Sequence, residues 1–126
     1  DPFYWKYWTG WSEPSLRPGF PDSLIWGQWQ DQETLFWLEV ESGKSSGYEL
    51  ANLYQQRLGS AVTYAKQRNV LLVYVILSQP WVLENIIQTN AIRRYLPDNV
   101  AVILHDWRNF GELPLPSFGR RITQYM

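Results

Sequence analysis

The chain has no cysteine, one histidine and one methionine among its 126 residues. No disulfide and no thiolate metal site can form, and a lone imidazole cannot assemble a zinc set. The lack of cysteine fits a reducing compartment, so a cytoplasmic location is expected. Long hydrophobic runs are missing as well. The longest, Val70 to Leu77, falls far short of the roughly 20 residues of a membrane helix, so no membrane partner is expected. Nor is there an excess of charge of one sign: 11 basic and 12 acidic residues leave a net charge of −1. A protein that lives on nucleic acid usually carries a basic surplus, so this balance argues weakly against that role. The charges are nonetheless segregated. Acids lie early (Asp22, Asp31, Glu33, Glu39, Glu41) and many bases later (Arg57, Lys66, Arg68, Arg93, Arg94, Arg120, Arg121). No signal peptide is visible and the first residue is Asp1 rather than Met, which leads to the expectation of a fragment or processed product with a domain upstream.

What is present in quantity is aromatic. Eight Trp and eight Tyr occur, many of them before residue 38 (Tyr4, Trp5, Tyr7, Trp8, Trp11, Trp26, Trp29, Trp37). Such a density of rings near one end suggests a packed lid or a surface that meets a partner. With 45% hydrophobic and 18% charged residues, the composition is that of one globular domain with a real core. Residues 1–20, with Pro2, Pro14 and Pro18, read as a loop-rich arm with at most one helical turn. Residues 21–110 read as the core, and 111–126, with Pro114, Pro116 and Gly119, as an irregular tail.

Within the core, Ser23–Trp26 predicts a short strand and Gly27–Gln32 a polar turn. Leu35–Glu41 predicts a second strand, with Phe36, Leu38 and Val40 on one face and Leu35, Trp37, Glu39 and Glu41 on the other. Ser45 or Ser46 can cap a helix that runs to about Arg68, with Glu49 completing a capping box on Ser46. Its apolar residues, from Leu50 to Ala65, recur at helical spacing, and Gly59 weakens it slightly. "VLLVYVIL" (70–77) is the continuous, β-branched pattern of a central strand covered on both faces. An amphipathic helix follows Pro80, over about 82–96, and "VAVILHDW" (100–107) is another buried strand. The expected fold is α/β, a mixed central sheet flanked by helices in β-β-α-β-α-β order.

The acids stand out against this frame. Asp22 opens one strand and Glu39 sits late in the next, so pairing of the two strands brings these carboxylates to one end of the sheet. Glu39 and Glu41, two apart, project from the same face. Converging carboxylates repel unless something positive neutralises them, and a hard divalent ion such as Mg²⁺ is the natural candidate, with Mn²⁺ as a substitute. Lys44 follows closely enough to reach the same spot.

"PD" at 21–22, "EVE" at 39–41 and the strand–strand–helix–strand order resemble the PD-(D/E)xK, restriction-endonuclease-like nuclease superfamily. More narrowly, "RPGFPDSLIWG" followed by "LFWLEVESGKSS" is similar to the replication-relaxation-like proteins of bacterial mobile elements, which carry "FWLEVD-x-G" where this chain has "FWLEVESG" (36–43). The resemblance spans about residues 17–107, and its specific part is about 30 residues long. It implies that Asp22 and Glu39 are Mg²⁺ ligands, with the Val40 carbonyl as a third oxygen. The superfamily pattern asks for Lys where this chain has Glu41. Either Glu41 activates the attacking water, as in some restriction endonucleases, or Lys44 is a migrated lysine. If neither holds, the chain is a degenerate relative that binds DNA without cutting it.

Plainer readings stand beside these. An acid at a strand end is commonly a solvated edge residue, and Pro-Asp commonly starts a turn. His105 at a strand end is more often structural than catalytic. "SGKSSG" (42–47) lacks the leading glycine of a phosphate loop. Gln55, Gln56, Arg57 and Tyr64 lie on the first helix, which borders the active site in nuclease-like folds, so the resemblance makes them candidate phosphate contacts; the plain alternative is a solvated polar face. Arg93–Arg94 and Arg120–Arg121 are candidate backbone clamps. The expected partner is DNA, and the aromatic arm is a candidate surface for a homodimer or another protein.

Overall fold

A computed structural model describes residues 3–9 (backbone), 21–44, 47–89 and 96–119. Five strands form one sheet in the order β1-β2-β3-β4-β5, so spatial order follows chain order. The strands are β1 (Phe3–Thr9), β2 (Ser23–Trp29), β3 (Gln32–Val40), β4 (Leu71–Ser78) and β5 (Val100–Asp106). Two helices connect the later ones, α1 (Gly47–Arg68) and α2 (Pro80–Gln88), and a 3-10 helix covers Trp107–Glu112. β1, β2 and β3 pair antiparallel, and β3, β4 and β5 parallel. The expected mixed α/β sheet is present.

The N-terminal arm departs from expectation. Phe3–Thr9 is a strand, paired with β2 from Phe3↔Trp29 to Thr9↔Leu24 with an irregularity between Trp5 and Tyr7. Prolines around "FYWKYWT" argued for a loop, yet none falls inside it, and aromatic residues and Thr suit a strand once a partner edge exists. The order is therefore β-β-β-α-β-α-β. β2 also runs three residues beyond its expected end at Trp26. The turn to β3 is only Gln30–Asp31, both with positive φ (48° and 65°), the backbone of a two-residue hairpin. Neither residue is glycine, so the usual turn signal is missing.

α1 ends where expected, for a visible reason. Asn69 adopts φ 55°, its N–H donates to the Lys66 carbonyl and the Val70 N–H to the Ala65 carbonyl. That pair of bonds is a Schellman cap with Asn in the left-handed position. The expected Ser45/Ser46 cap lies outside the described residues. α2 starts with Pro80 in its first turn, as proline favours, and closes at Thr89, short of the expected end at 96. The Thr89 N–H bonds the Asn85 carbonyl and its hydroxyl the Ile86 carbonyl.

Both helices cover the same face of the sheet. There Leu24, Leu35, Trp37, Leu72, Tyr74, Ile76, Val102 and Leu104 pack with Leu50, Tyr54, Ala61 and Ala65 of α1 and Val82, Leu83 and Ile86 of α2. The opposite face buries Ile25, Phe36, Leu38, Val73, Val75, Leu77 and Ile103, with Leu113 and Phe118 of the C-terminal segment against it. Phe118 meets the Trp29 ring at 6.3 Å, and the Gly119 N–H bonds the Val100 carbonyl. Alternation along β3 follows the sequence pattern, with Leu35 and Trp37 on the helix face and Phe36 and Leu38 on the other. The carboxyl ends of the parallel strands all lie at one end of the sheet, where ligands commonly meet α/β folds.

Candidate functional site

That end carries the acids. Asp22, immediately before β2, donates its N–H to the Leu38 carbonyl, and its Oδ2 accepts the Val40 N–H at 2.7 Å. The Ser23↔Leu38 pairing sets Asp22 opposite Glu39. Asp22 is exposed, Val40 is exposed at the end of β3, and Glu39 is only 2% exposed.

A buried carboxylate needs partners. Glu39 Oε2 accepts the Tyr74 hydroxyl at 2.8 Å, and Oε1 lies 3.7 Å from Arg57 Nη1. Burial pushes the Glu39 carboxyl up to about 7 from an ordinary 4.5. Arg57 and Tyr74 oppose the rise and the charge of Asp22 adds to it. The Trp37 indole N–H favours the Glu39 carboxylate but falls outside hydrogen-bonding geometry, and it finds no other partner. The Trp37 ring stacks on Tyr74 at 6.3 Å and meets Tyr64 edge-on, which fixes the Tyr74 hydroxyl beneath Glu39.

Glu41 lies just beyond β3 and is held on every side. Its Oε1 accepts the Tyr54 hydroxyl and its Oε2 the Gly43 N–H, both at 2.8 Å. Its own N–H donates to the Leu77 carbonyl, and its carbonyl accepts Ser78 Oγ at 2.6 Å. Burial foremost, then the charge of Glu41, pushes the Tyr54 phenol far above its usual range; burial and Glu39 do the same to Tyr74. Both phenols therefore remain neutral donors. Burial works against the cation of Arg57, but Glu39, with Tyr54 next, outweighs it. The guanidinium carbon sits 5.6 Å from the Tyr54 ring centroid. One α1 turn thus supplies both a donor to Glu41 and a cation to Glu39.

Gly43 makes the loop possible. Its φ is +86°, and a Cβ there would sit 2.9 Å from two ring atoms of Trp81 and 3.0 Å from Val82. Only glycine combines that backbone with that clearance.

The structure therefore brings together Asp22, Glu39 and Arg57, and places Glu41 beside them through Tyr54. Lys44, just beyond Gly43, is exposed and makes no ion pair with a described acid. Arg57 turns onto Glu39 rather than to solvent, while Gln55 and Gln56 are exposed on α1. Arg93, Arg94, Arg120 and Arg121 lie outside the described residues. His105 has its Nε2 2.7 Å from the Asn109 carbonyl and its buried Nδ1 without a partner among the described residues, and it projects from the sheet face opposite the acids. Tyr54, Tyr74, Ser78 and Gly43 were missed as site residues. A tyrosine hydroxyl inside a fully apolar strand such as 70–77 demands a partner, and that was the available signal for Tyr74.

Among the described residues, no group of three His, Asp or Glu side chains is placed to hold a metal ion. Mg²⁺ needs less than that, because it keeps most of its water and uses one or two carboxylates. The β2–β3 register sets two carboxylates, Asp22 and Glu39, opposite one another, the number such an ion uses. No family model matches the chain, and neither a curated protein nor a solved structure matches it significantly.

Proposed function

We propose that this chain is a DNA-acting domain of the PD-(D/E)xK-like kind, carried by a plasmid or other mobile element, that hydrolyses phosphodiesters with Mg²⁺. The observation that supports the reading is the Asp22–Glu39 pair, set face to face by the β2–β3 register at the carboxyl end of the parallel strands. Asp22, Glu39 and the Val40 carbonyl would hold the ion, which when bound polarises the phosphodiester and acidifies a water. The chain's own groups do the rest. Tyr74 orients the Glu39 carboxylate, Arg57 offsets part of its charge, and the Val40 N–H fixes Asp22.

A second reading, binding without hydrolysis, is favoured by Glu41. Both of its carboxylate oxygens already accept hydrogen bonds, and Lys44 makes no ion pair with a described acid. Activation of water by Glu41 would have to use the remaining lone pairs of a carboxylate that is only 8% exposed.

The test is cleavage of labelled DNA across a Mg²⁺ and Mn²⁺ titration, with binding read in parallel. Asp22→Asn is the informative variant, because the amide oxygen still accepts the Val40 N–H while the charge is gone. Metal-dependent cleavage that disappears in Asp22→Asn, at an unchanged melting temperature, supports hydrolysis. Binding with no cleavage by the wild type selects the second reading. Cleavage by Asp22→Asn at the wild-type rate overturns the assignment.

A further inference from the structure

The same end of the sheet carries the exposed large rings of the described residues. Tyr48, in the first turn of α1 after β3, is 87% exposed. Trp81, in the first turn of α2 after β4, is 54% exposed, and Trp107, directly after β5, is 47% exposed. Because β3, β4 and β5 are parallel and in register, with Ser78 opposite Asp106, all three rings rim the end that holds Asp22 and Glu39. Single exposed rings are ordinary on a protein surface, but three on the loops at one end of a sheet make a candidate contact surface.

Trp81 is also held still. Its six-membered ring lies against Gly43, and its Nε1–H donates to Gln79 Oε1 at 2.8 Å. The loop that grips Glu41 therefore also seats an indole with about half its surface in solvent. Cations accompany the rings. Lys44 is exposed in that loop, and Arg108, next to Trp107, is splayed on Asp106 by Nε (3.1 Å) and Nη2 (2.6 Å) with its side chain 68% exposed. Anchored on one side, that guanidinium keeps its remaining N–H groups for a phosphate.

Exposed aromatic rings, one of them held in place, with a few cations on the same loops suit an unpaired nucleotide strand, whose bases can stack, and not a duplex, whose bases are already stacked. We infer that the rim of Tyr48, Trp81 and Trp107 is a stacking platform for single-stranded DNA. This rests on the DNA-acting reading above and names its substrate form. The rim has few cations and several acids nearby, so stacking supplies most of the affinity. Two phosphate contacts, from Lys44 and Arg108, correspond to a slope of about −1.4 in log affinity against log salt.

The experiment is fluorescence anisotropy of labelled oligonucleotides with the whole chain in EDTA, which removes metal and cleavage from the readout. The probes are a mixed-sequence single strand, its duplex, and a strand of equal length with abasic sites. Expected are single-strand binding with a shallow salt slope and at least about tenfold weaker binding of the duplex and the abasic strand. Trp81→Ala should weaken single-strand binding by about 5- to 150-fold. Trp81→Phe should keep most of it, and Trp107→Ala, whose ring does not support the Glu41 loop, should weaken it independently. Equal affinity for strand and duplex, undiminished binding of the abasic strand, or no effect of either alanine variant would overturn the inference. Separate Mg²⁺ reactions keep the two ideas apart. Cleavage of the single strand at a rate indifferent to Trp81→Ala would sink the platform and leave the nuclease reading standing. Ring-dependent strand binding without cleavage would do the reverse.

Discussion

Glu39 is a carboxyl group buried where its charge is only partly met. Its value near 7 in the fold, against 4.5 ordinarily, means that the folded state holds the proton more tightly than the unfolded state. That contribution is fully present below about pH 4.5 and is lost as pH rises through 7. Folding stability should therefore fall across this window by up to roughly 3 kcal/mol. Glu39→Gln keeps an acceptor for Tyr74 and removes the charge, so its stability should be flatter from pH 4.5 to 7 and exceed wild type at pH 8. Urea unfolding at several pH values checks this, and identical slopes for both proteins would refute it. Mg²⁺ added at pH 8 should raise the wild-type midpoint and leave Glu39→Gln unmoved. The residues of this cluster were unevenly legible. Asp22 and Glu39 could be paired from strand spacing alone. Tyr54 and Tyr74 read as core because periodicity reports which face a residue occupies, not what its hydroxyl touches.

Among the elements, the loop of Glu41 to Lys44 and the middle of α1 both carry a glycine, with opposite consequences. Gly43→Ala forces a Cβ into Trp81 at positive φ, and should destabilise the fold by about 1–3 kcal/mol and free the Trp81 ring. Gly59 is exposed and helical, with nothing within 4 Å of a built Cβ, so Gly59→Ala should stabilise by about 0.5–1 kcal/mol. Thermal melts of the two variants should move in opposite directions, and iodide quenching of tryptophan should rise only for Gly43→Ala. α1 and β3 were readable because each buries a stripe or face with a clear period, and β4 because its apolar run is unbroken, as a strand covered on both faces requires. β1 was not, since a strand at the sheet margin is defined by the partner it meets as much as by its own residues. The end of α2 was also hidden: apolar spacing continues past Gln88, while Thr89 closes the helix with its own hydroxyl.

For the molecule as a whole, the two sheet faces are covered by different means. Two helices seal one, and on the other Leu113 and Phe118 lie across Phe36, Val73 and their neighbours. Phe118→Ala should cost about 1–2 kcal/mol and raise binding of a hydrophobic dye, with the Glu39 and Glu41 contacts untouched. Unchanged dye binding would show that this ring is not part of the seal. The mixed α/β class was legible from the element order; the one-sided placement of the helices was not, because right-handed crossovers put both on one face only once the order β3-β4-β5 is known. The chain-order sheet also bears on how the protein is made. Every strand docks beside the one synthesised just before it, but only the β2–β3 hairpin is local; the parallel β3–β4 and β4–β5 pairings each span a helical crossover and are the slower ones to close. Asp22, Glu39, Glu41, Tyr54 and Arg57 all lie in one stretch of chain, and β4 then adds Tyr74 and Ser78. During synthesis Tyr54 and Arg57 of α1 are therefore on hand for the acids before β4 emerges, and the pairing of β4 with β3 brings the last partners, Tyr74 and Ser78.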